Sequence, residues 1–124
     1  MGDWEPDQEF QVEGRWVFYW VVPARVEGSW SWSVGEREPL HVSARLEQRF
    51  QHVSGTATAR GASTMLEDVE LKGAHIAFTV VTRDRGVAVR MRHQGEVSGD
   101  SIDGWIEVDA GPLRGTHAWS AARR

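Results

Sequence analysis

The sequence predicts an all-β fold, an antiparallel up-and-down β-barrel of about 8–10 strands, on three observations. Apolar and polar residues alternate with period two along nearly the whole chain, the pattern of strands with one buried face. No window spaces apolar residues by three and four over ten or more positions, so helix is minor, at most a turn near residues 3–8. Glycine-rich turns separate the alternating runs at spacings of about 8 to 12 residues. Closure is preferred because so many consecutive hairpins would otherwise leave exposed edges.

Residues 1–9 form an N-terminal lead-in to a single domain spanning residues 1–124. Trp16-Val17-Phe18-Tyr19-Trp20-Val21-Val22 follows, apolar at every position. As a strand it projects Trp16, Phe18, Trp20 and Val22 to one face and Val17, Tyr19 and Val21 to the other. One barrel interior buries only one of them. The second face needs cover from another copy, a terminal segment such as residues 4–10, or a neighbouring domain, because each large apolar side chain left in water forgoes about 1.5–3 kcal/mol. Trp16, Val17, Phe18, Tyr19, Trp20 and Val21 are therefore the candidate interface.

Gly28-Ser29-Trp30-Ser31-Trp32 opens the next strand. Leu40, Val42, Ala44, Leu46 and Phe50 then alternate with polar residues, and Gln48 falls on their apolar face. Gly55 marks a bend in the strand over residues 53–59. Residues 66–71 form a short strand, and Lys72-Gly73 turns the chain into Ile76, Phe78 and Val80. Asp84-Arg85-Gly86 closes that hairpin before Val87, Val89 and Met91. Gly99-Asp100 is a tight turn leading to an inward row of Ile102, Gly104, Ile106 and Val108, opposite Asp103, Trp105 and Glu107. Residues 111–115 turn the chain into a last strand over residues 116–121. An immunoglobulin-like sandwich is the alternative architecture, although its cysteine–tryptophan core is missing.

Composition narrows the function classes. The chain has no cysteine, which removes disulfides, thiolate catalysis and cysteine–zinc sites. Net charge is −4 and no long basic run occurs, which argues against nucleic acid as a partner. The longest apolar run, residues 16–22, is far short of the roughly 20 residues of a membrane-spanning helix, and the acidic N-terminal segment has no signal pattern, so the expectation is a cytoplasmic protein that meets no membrane. Five histidines at 41, 52, 75, 93 and 117 show no short ligand spacing, and no metal site is assigned; histidines alternating with apolar residues read as surface positions. No nucleophile elbow, phosphate loop or dinucleotide loop appears, and Asp103 and Glu107 stand about 13 Å apart along one strand, too far for a carboxylate pair. No catalytic residue and no cofactor is assigned to this chain.

Seven tryptophans are many for 124 residues and suit core corners, ligand cups or interfaces alike. Trp30, Trp32, Gln48 and Phe50 are the candidate ligand-binding residues, a cup with one polar anchor that would hold a small apolar molecule. That carrier reading requires an interior cavity of roughly 300 Å³ or more, and a solid interior would end it. A small barrel cyclase or isomerase is a third reading. Its mark would be a buried acid or base with a strongly shifted pKa inside a cavity.

Two resemblances add to this. Gly28-Ser29-Trp30 with Arg123 and Arg124 after the last strand resembles the lipocalin arrangement, in which an arginine from the barrel's end covers an early Gly-x-Trp tryptophan; the resemblance implies a lipocalin-like barrel. Val21-Val22-Pro23-Ala24-Arg25-Val26-Glu27-Gly28, Leu46-Glu47-Gln48-Arg49-Phe50-Gln51 and Gly95-Glu96-Val97-Ser98-Gly99-Asp100 resemble a C-terminal β domain appended to bacterial class I S-adenosylmethionine-dependent methyltransferases. That family's cofactor-binding glycine loop is not in these residues. The resemblance thus implies a non-catalytic accessory domain for substrate recognition or assembly, partnered by a methyltransferase catalytic domain or self-associating through its first strand.

Overall fold

The computed structural model describes residues 6–12, 15–20, 23–36 and 39–124, with side chains for 23–36 and 39–124. Among the described residues, eleven strands make two antiparallel sheets. β1 (Pro6–Val12) and β2 (Arg15–Trp20) form a two-stranded hairpin of their own. The other nine are β3 (Gly28–Val34), β4 (Leu40–Arg49), β5 (His52–Ala59), β6 (Ala62–Met65), β7 (Glu67–Lys72), β8 (His75–Asp84), β9 (Val87–Ser98), β10 (Ser101–Val108) and β11 (Gly115–Arg123). Their spatial order is β6-β5-β4-β3-β11-β10-β9-β8-β7, a meander in which the last strand returns to β3. No described helix is long and apolar enough to cross a membrane.

Two expectations at the N-terminus change. Pro6 to Gln8, expected in a helical turn, lie in a strand, because Phe10 and its neighbours pair with β2 in the register Phe10↔Val17. The apolar run over residues 16–22 is not the first strand of the large sheet: β2 ends at Trp20 and pairs with β1, and β3 takes the place between β4 and β11. Pro23, which has no N–H to give a ladder, lies in the extended connection that follows. The side chains of Trp16, Val17, Phe18, Tyr19 and Trp20, and all of Val21 and Val22, lie outside the described residues. So do Trp4, Glu13 and Gly14.

The nine-stranded sheet is rolled. Neighbouring strands stand about 4.8 Å apart, so β3 and β8, four positions removed, would be ~19 Å apart if the sheet were flat. Instead the Trp32 and Phe78 rings meet with centroids 6.0 Å apart. The bend is eased where Gly95 faces Gly104 across β9 and β10. A Cβ at Gly95 would stand 2.6 Å from the Asp103 carbonyl oxygen, and one at Gly104 would collide with the Gln94 carbonyl, so only glycine allows this approach. Inside lies one core, with Trp30, Val42, Leu46, Ile76, Phe78, Met91, Ile106 and Trp119 among its buried residues.

Closure is incomplete at one seam. β6 and β7 are the two end strands, yet only Leu66 separates them in the chain. A one-residue link is too short for an antiparallel hairpin. Residues 62–72 therefore run on in one direction and change partner, pairing first with β5 and then with β8. The Leu66 N–H donates to Gly55 O (2.9 Å), and β7 is irregular between Glu67 and Glu70, with Asp68 at φ 49°. β8 runs past its pairing with β7, which stops at Thr79, so its last residues and β6 carry free edges facing each other.

Candidate functional site

Three regions were candidates: the end sealed by residues 23–27, the aromatic centre of the core, and the seam.

At the sealed end, residues 23–27 cross the mouth of the sheet without forming a ladder, and other groups hold their peptides. Ala24 N–H donates to Gly73 O (2.7 Å), and the Gln48 amide donates to Ala24 O (2.9 Å) while its Oε1 accepts from Val26 N–H (2.7 Å). Trp30 Nε1–H donates to Val26 O (2.8 Å). The Arg123 guanidinium covers the Trp30 ring at 4.6 Å and donates to Glu27 O, Arg25 O, Gly99 O and the Asp100 carboxylate. Val26 is wholly buried beneath this network. The Gly-x-Trp tryptophan does meet an arginine from the last strand, and that arginine is Arg123.

The four residues expected to line a cup are not brought together in one. Trp30 and Gln48 both hold Val26, and the amide also donates to Phe50 O (2.7 Å), so its polar groups are spent on backbone. Phe50, expected on the inner face, sits in the turn after β4 at φ 59° and is 43% exposed, because the strand reverses one residue before its side chain could point inward. Trp32 alone reaches the centre.

There Trp32, Phe78, His93 and Trp119 pack ring against ring. His93 stacks on Phe78 (4.7 Å, 18°) and meets Trp32 and Trp119 edge-on at 5.3 and 5.0 Å; the two tryptophans stand 5.6 Å apart. His93 is wholly buried, not at the surface as expected. The signal was legible: His93 continues the inward row Val89, Met91, Gly95, Val97 at period two. Its Nδ1–H donates to Met91 O (2.9 Å), which leaves the Nε2 lone pair as an acceptor. Burial pushes its pKa down to about 4, with the Arg92 charge acting in the same sense, so the ring is neutral at pH 7. Among the described residues, His93 Nε2, Trp32 Nε1 and Trp119 Nε1 have no hydrogen-bond partner. His93 is the buried, shifted base that an enzymatic reading asks for. Its ring, however, is packed among aromatics and lines neither the seam groove nor the narrow space of about 20 Å³ beside Leu40, Met91 and Val108.

At the seam a groove of about 410 Å³ lies between β5 and β6 on one side and β8 on the other. Ala57, Ala59, Thr64, Val80 and Thr82 line it together with Arg60, which pairs with Asp84 (3.1 Å). Ala57 and Val80, beneath the groove, are fully buried and belong to the core. Small side chains on β5 keep it open. Nothing in the period-two pattern disclosed it, because it arises from a pairing that does not form. No group of three or more metal-ligating side chains occurs among the described residues.

Fold and groove together define an all-β protein built on one rolled, antiparallel, nine-stranded sheet with a lateral opening. Compared with known proteins, the chain matches no family model, no curated protein and no solved structure.

Proposed function

We propose that the chain is a small-ligand-binding domain that takes a compact apolar molecule at the open seam. The observation that carries this reading is that the seam of the sheet coincides with a groove of about 410 Å³. That volume falls in the range of roughly 300–1,000 Å³ usual for ligand sites. Ala59, Ala62 and Val81 supply apolar surface, Ser63, Thr64 and Thr82 supply hydroxyls, and the charged side chains of Arg60, Glu67 and Arg83 are also among the lining residues. A lipocalin-like barrel is the finer architectural reading, supported by Arg123 over Trp30 and by the return of β11 to β3.

Displacement of an environment-sensitive dye by a panel of apolar compounds tests this, with Thr64→Trp as the filled-groove variant. Thr64 is on an edge strand and half-buried, so the variant should keep the wild-type circular dichroism while binding at least tenfold more weakly. A folded Thr64→Trp protein that binds like the wild type would sink the reading.

A second reading, a cytoplasmic methyltransferase accessory domain, draws support from the β1–β2 hairpin, which stands as a sheet apart from the other nine strands. Its apolar β2 would then meet the catalytic domain or a second copy. Sedimentation of the chain before and after Val17→Asp/Phe18→Asp should show a self-associating species that becomes monomeric. Calorimetric binding of S-adenosylmethionine by this chain alone would contradict a role without cofactor chemistry.

A further inference from the structure

We infer that the outer face of β3 and β4 carries a phosphate-binding hollow built from Ser31, Ser33, His41, Ser43 and Arg124. A concavity of about 350 Å³ lies there, lined by these five residues together with Trp32 and Val42. The two apolar side chains are buried in the core on the other face, so they give the hollow only strand backbone. Ser31 lies opposite Ser43, and Ser33 opposite His41, in the β3–β4 register. Residues so paired stand about 5 Å apart, Cβ to Cβ. The Ser33 hydroxyl and His41 Nδ1 are hydrogen-bonded at 2.9 Å. Arg123 turns inward onto Trp30, so Arg124, one residue on, falls on the outer face, where its N–H donates to Ser29 O (2.8 Å). Small serines between the longer His41 and Arg124 side chains leave this part of the face recessed.

Every polar side chain in this set can donate a hydrogen bond, and none of the lining residues is acidic. A neutral Ser33–His41 pair holds two polar protons. One makes the mutual bond, and the other, on the hydroxyl or on Nε2, stays free to donate whichever tautomer is present. Arg124 adds a fixed positive charge and makes no ion pair among the described residues. Donors gathered about a cation select an anion, and a metal ion would find no ligand of opposite charge. Three hydroxyls, an imidazole and a guanidinium outnumber what the two oxygens of a carboxylate can accept at once. They suit the three terminal oxygens of a phosphate group, which a guanidinium also meets in bidentate fashion. The hollow is separate from the seam groove, with no lining residue in common.

The test is an NMR titration of the ¹⁵N-labelled full chain with inorganic phosphate, phenyl phosphate, benzoate and phenol at constant ionic strength. Both phosphates should shift the Ser31, Ser33 and Ser43 amide signals and the His41 ring signals saturably, and phenol should not. Tighter binding of phenyl phosphate assigns the hollow to a phosphate ester, and binding no tighter than that of inorganic phosphate assigns it to the free anion. Ser43→Asp sets a carboxylate in the hollow and should weaken binding by about tenfold or more. Ala88→Asp adds the same charge at an exposed position on β9 and should leave binding unchanged. Should Ser43→Asp fail to fold, the double variant Ser31→Ala/Ser43→Ala, which only removes hydroxyls, takes its place and should also weaken binding. No saturable shift at these residues, or benzoate binding as tightly as phenyl phosphate, overturns the inference. So does a folded hollow variant that binds like the wild type, or an equal loss in Ala88→Asp.

Discussion

Trp30 and Trp32 stand two residues apart on β3, both buried, and their indole N–H groups are treated oppositely. Trp30 donates to Val26 O beneath Arg123, in a corner where the chain's peptides are tied by Gln48, Arg123 and Trp30 itself. Trp32 packs against Phe78, His93 and Trp119 and donates to no described atom. A network with its polar groups paired across elements distant in sequence fixes a connection that has no ladder of its own. A cluster whose polar atoms find no partner among the described residues gives up stability of order 1–3 kcal/mol per group. The sealed end is held by paired polar groups, and the centre by packed aromatic rings.

The largest expected break in that comparison is at the sealed end. Arg123→Ala removes four donated hydrogen bonds and the cover of Trp30, and it should cost about 3 kcal/mol in urea unfolding with an unchanged m value. Arg123→Lys should recover little of this, because one ammonium cannot reproduce a planar fork that reaches Glu27, Arg25 and Gly99 together.

Acid acts on the centre with similar size. The folded-state pKa of His93 is about 4 against an ordinary 6.5, so between those values the unfolded chain binds a proton that the folded chain refuses. His93 therefore contributes its full stability above pH 6.5, loses about 1.4 kcal/mol per pH unit on descending, and levels off below pH 4, about 3 kcal/mol in all. Carboxylates titrate in the same region, so the isolating measurement is the difference between wild type and His93→Phe. The variant's stability profile should be the flatter one between pH 6.5 and 4; parallel profiles would contradict a buried neutral imidazole.

Gln48→Leu keeps volume while leaving Ala24 O and Val26 N–H without their partner, and a loss of about 2 kcal/mol is expected in the same unfolding assay. The smallest and sharpest effect comes from paired Trp→Phe changes on β3. Both delete similar volume, so the difference isolates the N–H. Trp30→Phe should be the more destabilising by about 1–2 kcal/mol, since it breaks a made bond and weakens the cation contact, whereas Trp32→Phe removes a group unpaired among the described residues. Equal losses would erase the distinction between the two regions.

Much of the strand pattern was legible because a half-buried strand must alternate. The inward rows Leu40–Val42–Ala44–Leu46 and Ile102–Ile106–Val108 are all buried, and Trp105, read as outward, is 61% exposed. The glycine turns at Gly73, Gly86 and Gly99 all adopt positive φ. Gln48 was legible as an amide on an apolar face; its partners were not, because they lie 22 and 24 residues back along the chain. His93 was missed for a different reason. Residue type outweighed position, although its place on the β9 row pointed inward. The apolar run at residues 16–22 misled in the other direction, since hydrophobicity says that a segment wants cover without saying which sheet it joins.

By itself the sequence determined the strand class, most turn positions and most inward faces, since each follows from period-two burial or glycine conformational freedom; the tryptophan–arginine pairing at one end was only what a resemblance implied. Only the tertiary structure decided that the sheet rolls until β3 and β8 touch and that residues 62–72 change partner at Leu66, leaving a groove. It also decided that the rings of Trp32, Phe78, His93 and Trp119, from β3, β8, β9 and β11, pack against one another at the centre. Those outcomes depend on the summed twist and register of nine strands, a property that no local stretch of sequence carries.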